Sequence, residues 1–313
     1  MSSIPAVSAI ITTYRRADVL PRAIRSALAQ TVPDIEVLVV DDEPSDAARI
    51  ATESVGDPRV LYLAHDENKG LSAARNTGIR AARAPYVAFL DDDDEWAPTK
   101  LERQLRAMRD HGGRAAVTSY ERWHRHDGTS RVRDIRVDGD VHPLLLRDDM
   151  VHMQTLLLPT DAFDVVGTFD EHLFHHEDLD MALRLSREYP FVTVPEPLTI
   201  IHVTPDSLSR NTGNRIRALE RIIDKHPELR DDRKHRSRWT YRLARLHGED
   251  GDRSAWRSCL VEAVRLDPTN LRAAGMLALG TVAGPRAHLR LAELRGRTTR
   301  KLRALPARIQ GSE

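Results

Sequence analysis

The chain predicts an α/β fold, a mostly parallel sheet flanked by helices, followed by an all-helical C-terminal extension. Up to about residue 115, short runs rich in Val and Ile alternate with helical stretches, the pattern of parallel strands joined by right-handed crossovers. Beyond about residue 214 only helical patterns remain. Polar clusters follow three of the apolar runs, at the strand ends where parallel sheets bind ligands.

Taken in order, the expected strands are Val7–Thr12, Ile35–Val40, Val60–Leu63 and Tyr86–Leu90, each a short apolar run of the kind buried in parallel sheets. Helices are expected over Ala17–Gln30, Ser45–Ser54 and Ser72–Arg83, the last with Ser72 as N-cap and Pro85 closing it. Residues 116–212 read as an appended α+β half. Ala116–Tyr120 and Arg131–Val137 are expected strands around a polar turn at His126–Thr129, Glu177–Tyr189 a helix, and Phe191–Val194 and Thr199–Val203 short strands near Pro195 and Pro197. Three regions follow: 1–115, 116–212 and a helical 213–313. Within the last, residues 251–274 resemble one tetratricopeptide-type hairpin, with Leu266, Asp267, Pro268 and Asn270 at the helix junction. A single unit is too few for a solenoid, so a packed hairpin is expected.

Lys plus Arg equals Asp plus Glu at 47 each, so net charge gives no support to a nucleic-acid partner. One cysteine, Cys259, excludes an internal disulfide framework. The first residues read as a strand and not a signal peptide, and no apolar run reaches the roughly 20 residues of a spanning helix. A cytoplasmic protein is expected. The segment from Arg286 to Arg308 carries eight Lys or Arg against Glu293, interleaved with leucines. It reads as a solvated helix face or as an element adsorbing to an anionic membrane surface, which would place the protein peripherally at the inner membrane face.

The strand ends carry the chemistry. Thr12, Thr13, Tyr14 and Arg15 follow the first strand, Asp41, Asp42 and Glu43 the second, and Asp91 to Glu95 the fourth. Five consecutive carboxylates repel one another unless a cation sits among them. Along an extended strand Asp91 and Asp93 point the same way, which suits Mn²⁺ or Mg²⁺ held by carboxylates and phosphate oxygens. The first turn, TTYRRAD, has no glycine, which argues against a dinucleotide-binding fold. A bound diphosphate would need the metal and basic side chains, with Lys69 and Arg75 as candidates. A second cluster, His175, His176, Glu177, Asp178 and Asp180, opens a helix. It reads equally as dipole complementarity or as the source of a carboxylate base.

These residues together resemble family 2 glycosyltransferases of GT-A fold over residues 7 to about 210. The matching blocks are VSAIITTYRRADVLPRAIRSALAQT, IEVLVVDDEPSD, NKGLSAARNTGIRAARAPYVAFLDDDDEW, TLLLPTDAFDVVGTFDEHLFHHEDLDMALRL and IIHVTPDSLS. The resemblance implies a Rossmann-like GT-A sheet and a nucleotide-sugar donor, with a leaning to UDP. It implies a carbohydrate or lipid-linked acceptor and an inverting single displacement. Thr12, Tyr14 and Asp42 would hold the nucleoside, with Asp92 on the nucleotide side. Arg75 would lie near the diphosphate, Asp91 and Asp93 on the metal, and His202 near the site and on the metal. The Glu177–Asp178 pair would supply the base, best assigned to Asp178. Asp92 stands where the family has a small polar residue, and Glu43-Pro44 where it has a flexible Gly-Ser. No Gln-x-x-Arg-Trp motif follows the pair, so a processive synthase is not implied. Two other readings compete: a two-component receiver-like signalling module, which VLVVDDEP imitates, and an inactive glycosyltransferase-like binding protein.

Overall fold

The computed structural model describes residues 4–112, 114–124, 128–149, 151–203 and 211–283. It divides into two compact units, Met1–Arg210 and Asn211–Glu313.

In the first unit, β1 (Val7–Thr13), β2 (Ile35–Asp41), β3 (Val60–Ala64) and β4 (Tyr86–Asp91) run parallel in the order β3-β2-β1-β4. Every residue of β1 and β2 is buried, which is why both read as unbroken apolar runs and not as alternating ones. Crossover helices α1 (Leu20–Leu28), α2 (Asp46–Glu53) and α3 (Leu71–Ala81) connect them. The sheet then continues without a break past β4, through β8 (Leu156–Pro159), β6 (Ala115–His124) and β9 (Phe191–Val203) to β5 (Glu95–Trp96). The regions before and after residue 115 are therefore parts of one sheet. Helices α4 (Lys100–His111), α5 (His142–Leu145), α6 (Ala162–Val166) and α7 (Glu177–Glu188) complete the unit, and β7 (Thr129–Arg133) pairs with β6 alone.

Several expectations change. Ser72 lies inside α3. The N-cap is Gly70, at φ +93°, a backbone conformation that favours glycine. Residues 134–137 leave the strand because Ser119 and Thr193 side chains take the N–H groups of Ile135 and Val137. The two expected strands around Pro195 and Pro197 are one strand. It crosses the prolines, which cannot donate to the ladder, by a register shift against Thr118–Tyr120. Helix α4 and strand β8 come in addition to the expected elements.

The second unit is helical: α8 (Thr212–Lys225), α9 (Pro227–Arg230), α10 (Arg233–Asp250), α11 (Arg253–Leu266) and α12 (Leu271–Ala283). Asn211, Asp232 and Asp252 cap α8, α10 and α11 by accepting a backbone N–H three residues on. Helices α11 and α12 form the expected hairpin around Leu266–Asn270, with Trp256, Leu260, Ala263, Ala273 and Met276 in its core. The basic segment 286–308 and the first half of the 126–129 turn, residues 126 and 127, lie outside the described residues. Among the described residues no helix is long and apolar enough to cross a membrane.

Candidate active site

The carboxyl ends of three strands meet at one level, because Thr13 pairs in register with Asp41 and Thr12 with Asp91. Sheet geometry alone therefore brings together the threonines after β1, the acid pair after β2 and the acidic run after β4.

The acidic run is not extended. The chain turns at Asp91–Asp94, closed by the Asp94 N–H donating to the Asp91 carbonyl at 3.1 Å. This corrects the expectation of a straight strand, although Asp91 and Asp93 still share the open side. Their side chains are 32% and 21% exposed, whereas Asp92 and Asp94 are buried. Asp92 and Asp93 share one arginine, and Asp94 has partners of its own. Thr13 Oγ1 donates to Asp92 at 2.7 Å, and Arg16 reaches Asp92 at 3.2 Å and Asp93 at 2.7 Å. Gln154 Nε2 and the His202 backbone N–H both donate to Asp94. Burial pushes the Asp92 carboxyl up to about 7, against the pull of Thr13 and Arg16. Burial also raises Asp94, well above the usual carboxylate range, with Asp91 and Asp93 adding to it.

Asp42 is buried and held by three partners. Its oxygens accept the backbone N–H groups of Lys69 and Gly70 at 2.9 and 2.8 Å and lie 2.9 Å from His65 Nδ1. It thus organises the loop entering α3. Asp41, buried beside it, accepts from Tyr62 and Ser45. Thr12 is buried at the end of β1, and Tyr14 is half-buried with the Arg15 guanidinium 5.1 Å from its ring centre.

Arg75 departs most from expectation. It does not present an open cation to a diphosphate. It is 2% exposed beneath the site, packed against Phe169 and Phe89. It donates to Asp91 at 3.1 Å, Glu177 at 3.2 Å and Asp178 at 2.7 Å. One guanidinium thereby joins the 91–94 turn to the start of α7. His176, at φ +58°, turns the chain so that Glu177 and Asp178 open α7 at this point. Asp178 also accepts the Met153 N–H on its second oxygen at 3.1 Å. Burial, reinforced by Asp178, pushes the Glu177 carboxyl up to about 7. Asn76, one residue along α3, pins residues 169–171 through its side-chain amide.

His202 lies 2.8 Å from Glu95 through Nε2, and its buried Nδ1 has no hydrogen-bond partner among the described residues. Among those residues no three acids, histidines or cysteines converge as a ready metal cage. The donor set still fits a hard divalent cation. Asp91 and Asp93 are carboxylates on the open side, and Mg²⁺-type ions are commonly held by one or two carboxylates with phosphate oxygens completing the shell.

Sequence reasoning missed Arg16, Arg22 and Gln154. Arg22 pairs with Glu95 at 3.2 Å. The signal for Arg16 was present: five acids at one strand end need cations, and an Arg-Arg doublet ends the strand beside them.

A family model described as glycosyl transferase family 2 matches residues 8–170. The chain belongs to that family. It is 32% identical over 192 residues to an uncharacterised glycosyltransferase of Rickettsia prowazekii (strain Madrid E), covering 58% of this chain and 59% of that one. To the succinoglycan biosynthesis protein ExoO of Rhizobium meliloti (strain 1021) it is 40% identical over 121 residues, 39% of this chain and 35% of ExoO. It therefore spans under two thirds of either relative. S. aureus TarS residues 1–349, solved in complex with UDP-GlcNAc, superposes with a TM-score of 0.63 at 15% identity, over 83% of this chain and 81% of that one. At that identity the likeness speaks to the GT-A fold alone. Family membership sets the receiver-like reading aside.

Proposed function

We propose that this protein transfers a sugar from a UDP-sugar to a hydroxyl of a carbohydrate or lipid-linked acceptor, by a metal-assisted inverting single displacement. The observation that carries the reading is the buried Arg75 bridge between Asp91 and the Glu177–Asp178 pair. It holds Asp91 close to Glu177 and Asp178, which supports a reading in which acids serving two substrates face one space.

Thr12, Tyr14 and Asp42 would receive the nucleoside. Asp42 does so from a rigid position, since its oxygens already hold the loop before α3. The departing diphosphate would be met by the partly exposed Arg16 and by Lys69, with Arg75 neutralising the acids from below. Asp91 and Asp93, with His202 nearby, would hold Mn²⁺ or Mg²⁺, which supplies charge stabilisation to the leaving diphosphate. Asp178 would accept the acceptor hydroxyl proton as that oxygen bonds to the sugar C1. The C1–phosphate oxygen bond breaks on the opposite side, UDP leaves with the bonding pair, and the anomeric centre inverts. No covalent enzyme intermediate forms.

Calorimetric titration of UDP with and without Mn²⁺, using GDP and TDP as controls, tests the donor half. Tighter Mn²⁺-dependent binding of UDP is expected, and equal binding in EDTA would contradict it. The TarS complex with UDP-GlcNAc supports the choice of UDP through shared fold.

A further inference from the structure

We propose that His152 is an acceptor-binding residue, held by Arg122 as its Nδ1–H tautomer so that one acceptor hydroxyl bridges His152 and Asp178. The inference rests on the reading of Asp178 as the base.

Arg122 Nη2 lies 3.2 Å from His152 Nε2. A guanidinium has donors only and stays protonated, so Nε2 must accept and the proton of a neutral ring resides on Nδ1. That nitrogen stands 3.9 Å from Asp178 Oδ2. The gap is too long for a direct hydrogen bond, yet an oxygen can sit about 2.8 Å from both atoms. Asp178 has capacity for it. Oδ1 takes Arg75 and Oδ2 takes the Met153 N–H, which leaves Oδ2 a second lone pair.

The ring is fixed as well as aimed. It stands edge-on to the buried Tyr120, with centroids 5.0 Å apart and planes at 84°. Arg122 itself lies 5.7 Å over the same Tyr120 ring. The chain segment that gives Asp178 its backbone donor thus places an imidazole next to it. The charged and titratable groups around this space include Tyr120, Arg122 and Arg133 on the β6–β7 ribbon and Asp149 before His152, His176 paired with Asp149, and Glu177 and Asp178 on α7 with Arg75 from α3. At 31% side-chain exposure His152 remains open to a solute. A bridging hydroxyl donates its proton to Asp178 and accepts from His152, which fixes the direction of its attacking lone pair.

Two measurements test this. In ¹⁵N-labelled protein at about pH 8, where an ordinary imidazole is neutral, the His152 ring should show the Nδ1–H tautomer. Arg122→Met should shift it towards Nε2–H. Hydrolysis of a panel of UDP-sugars, with water as acceptor, gives the kinetic arm. His152→Phe keeps the ring against Tyr120 but removes the donor, and should lower kcat about tenfold with the donor KM unchanged. His152→Asn, which restores an N–H near the Nδ1 position, should recover most of that loss. An Nε2–H tautomer in the parent protein, or parental turnover by His152→Phe, would overturn the proposal. Asp178→Asn run alongside separates the failures. An active Asp178→Asn removes the base assignment and this inference with it. An inactive Asp178→Asn beside a fully active His152→Phe removes this inference alone.

Discussion

Arg75 Nη1 donates to Asp178 Oδ1 at 2.7 Å from a guanidinium that is only 2% exposed. The residue that holds the proposed base is thus itself part of the core. A buried cation with three carboxylates cannot lose its charge without leaving those carboxylates uncompensated.

Arg75→Met should therefore destabilise the protein by about 3 kcal/mol or more, read as a drop in the urea midpoint. Arg75→Lys should recover only part of this, because one ammonium lacks the planar fork that reaches three acids. Wild-type stability in Arg75→Met would show that the bridge is incidental.

Asp93→Asn should weaken the Mn²⁺-dependent part of UDP binding by at least about tenfold, roughly 1.4 kcal/mol, while metal-free binding stays near parental. Calorimetry on both proteins checks this. An unchanged metal dependence would move the cation site away from the 91–94 turn.

The Asp92 carboxyl, pushed up to about 7 by burial, gives a pH test. A carboxyl raised on folding contributes stability that is present below its unfolded pKa and lost as pH rises through the folded one. For Asp92 that window runs from the ordinary carboxylate range to about 7. Asp92→Asn has no charge to bury, so its Tm relative to the parent should rise between about pH 4 and pH 8. A flat difference would mean that Asp92 is not strained when ionised.

The strands before residue 115 were legible because buried parallel strands are nearly pure Val, Ile and Leu, and the clusters at their ends follow from topology. The roles of individual acids were not legible. Asp42 looks like an open ligand in sequence, yet three donors from residues 65, 69 and 70 converge on it in space. Arg75 reads as an open cation for a diphosphate until α7, a hundred residues later, folds its acids onto it. The 91–94 turn also eluded the two-residue periodicity, which holds only while a strand stays straight. Helix α4 buries Lys100 and Gln104 beside Leu101 and Met108, so two residues of its inner face read as polar surface in sequence.

The most direct test of the account is turnover by Asp178→Asn, with Glu177→Gln as the matched control. The substitution keeps size and removes the charge that accepts a proton. General-base catalysis is typically worth about 10² to 10⁴ in rate, so transfer, or UDP-sugar hydrolysis as its surrogate, should fall by that order. Metal-dependent UDP affinity should barely move, and Glu177→Gln should lose less. Normal turnover by Asp178→Asn, with Glu177→Gln inactive, would contradict the account and transfer the base to Glu177.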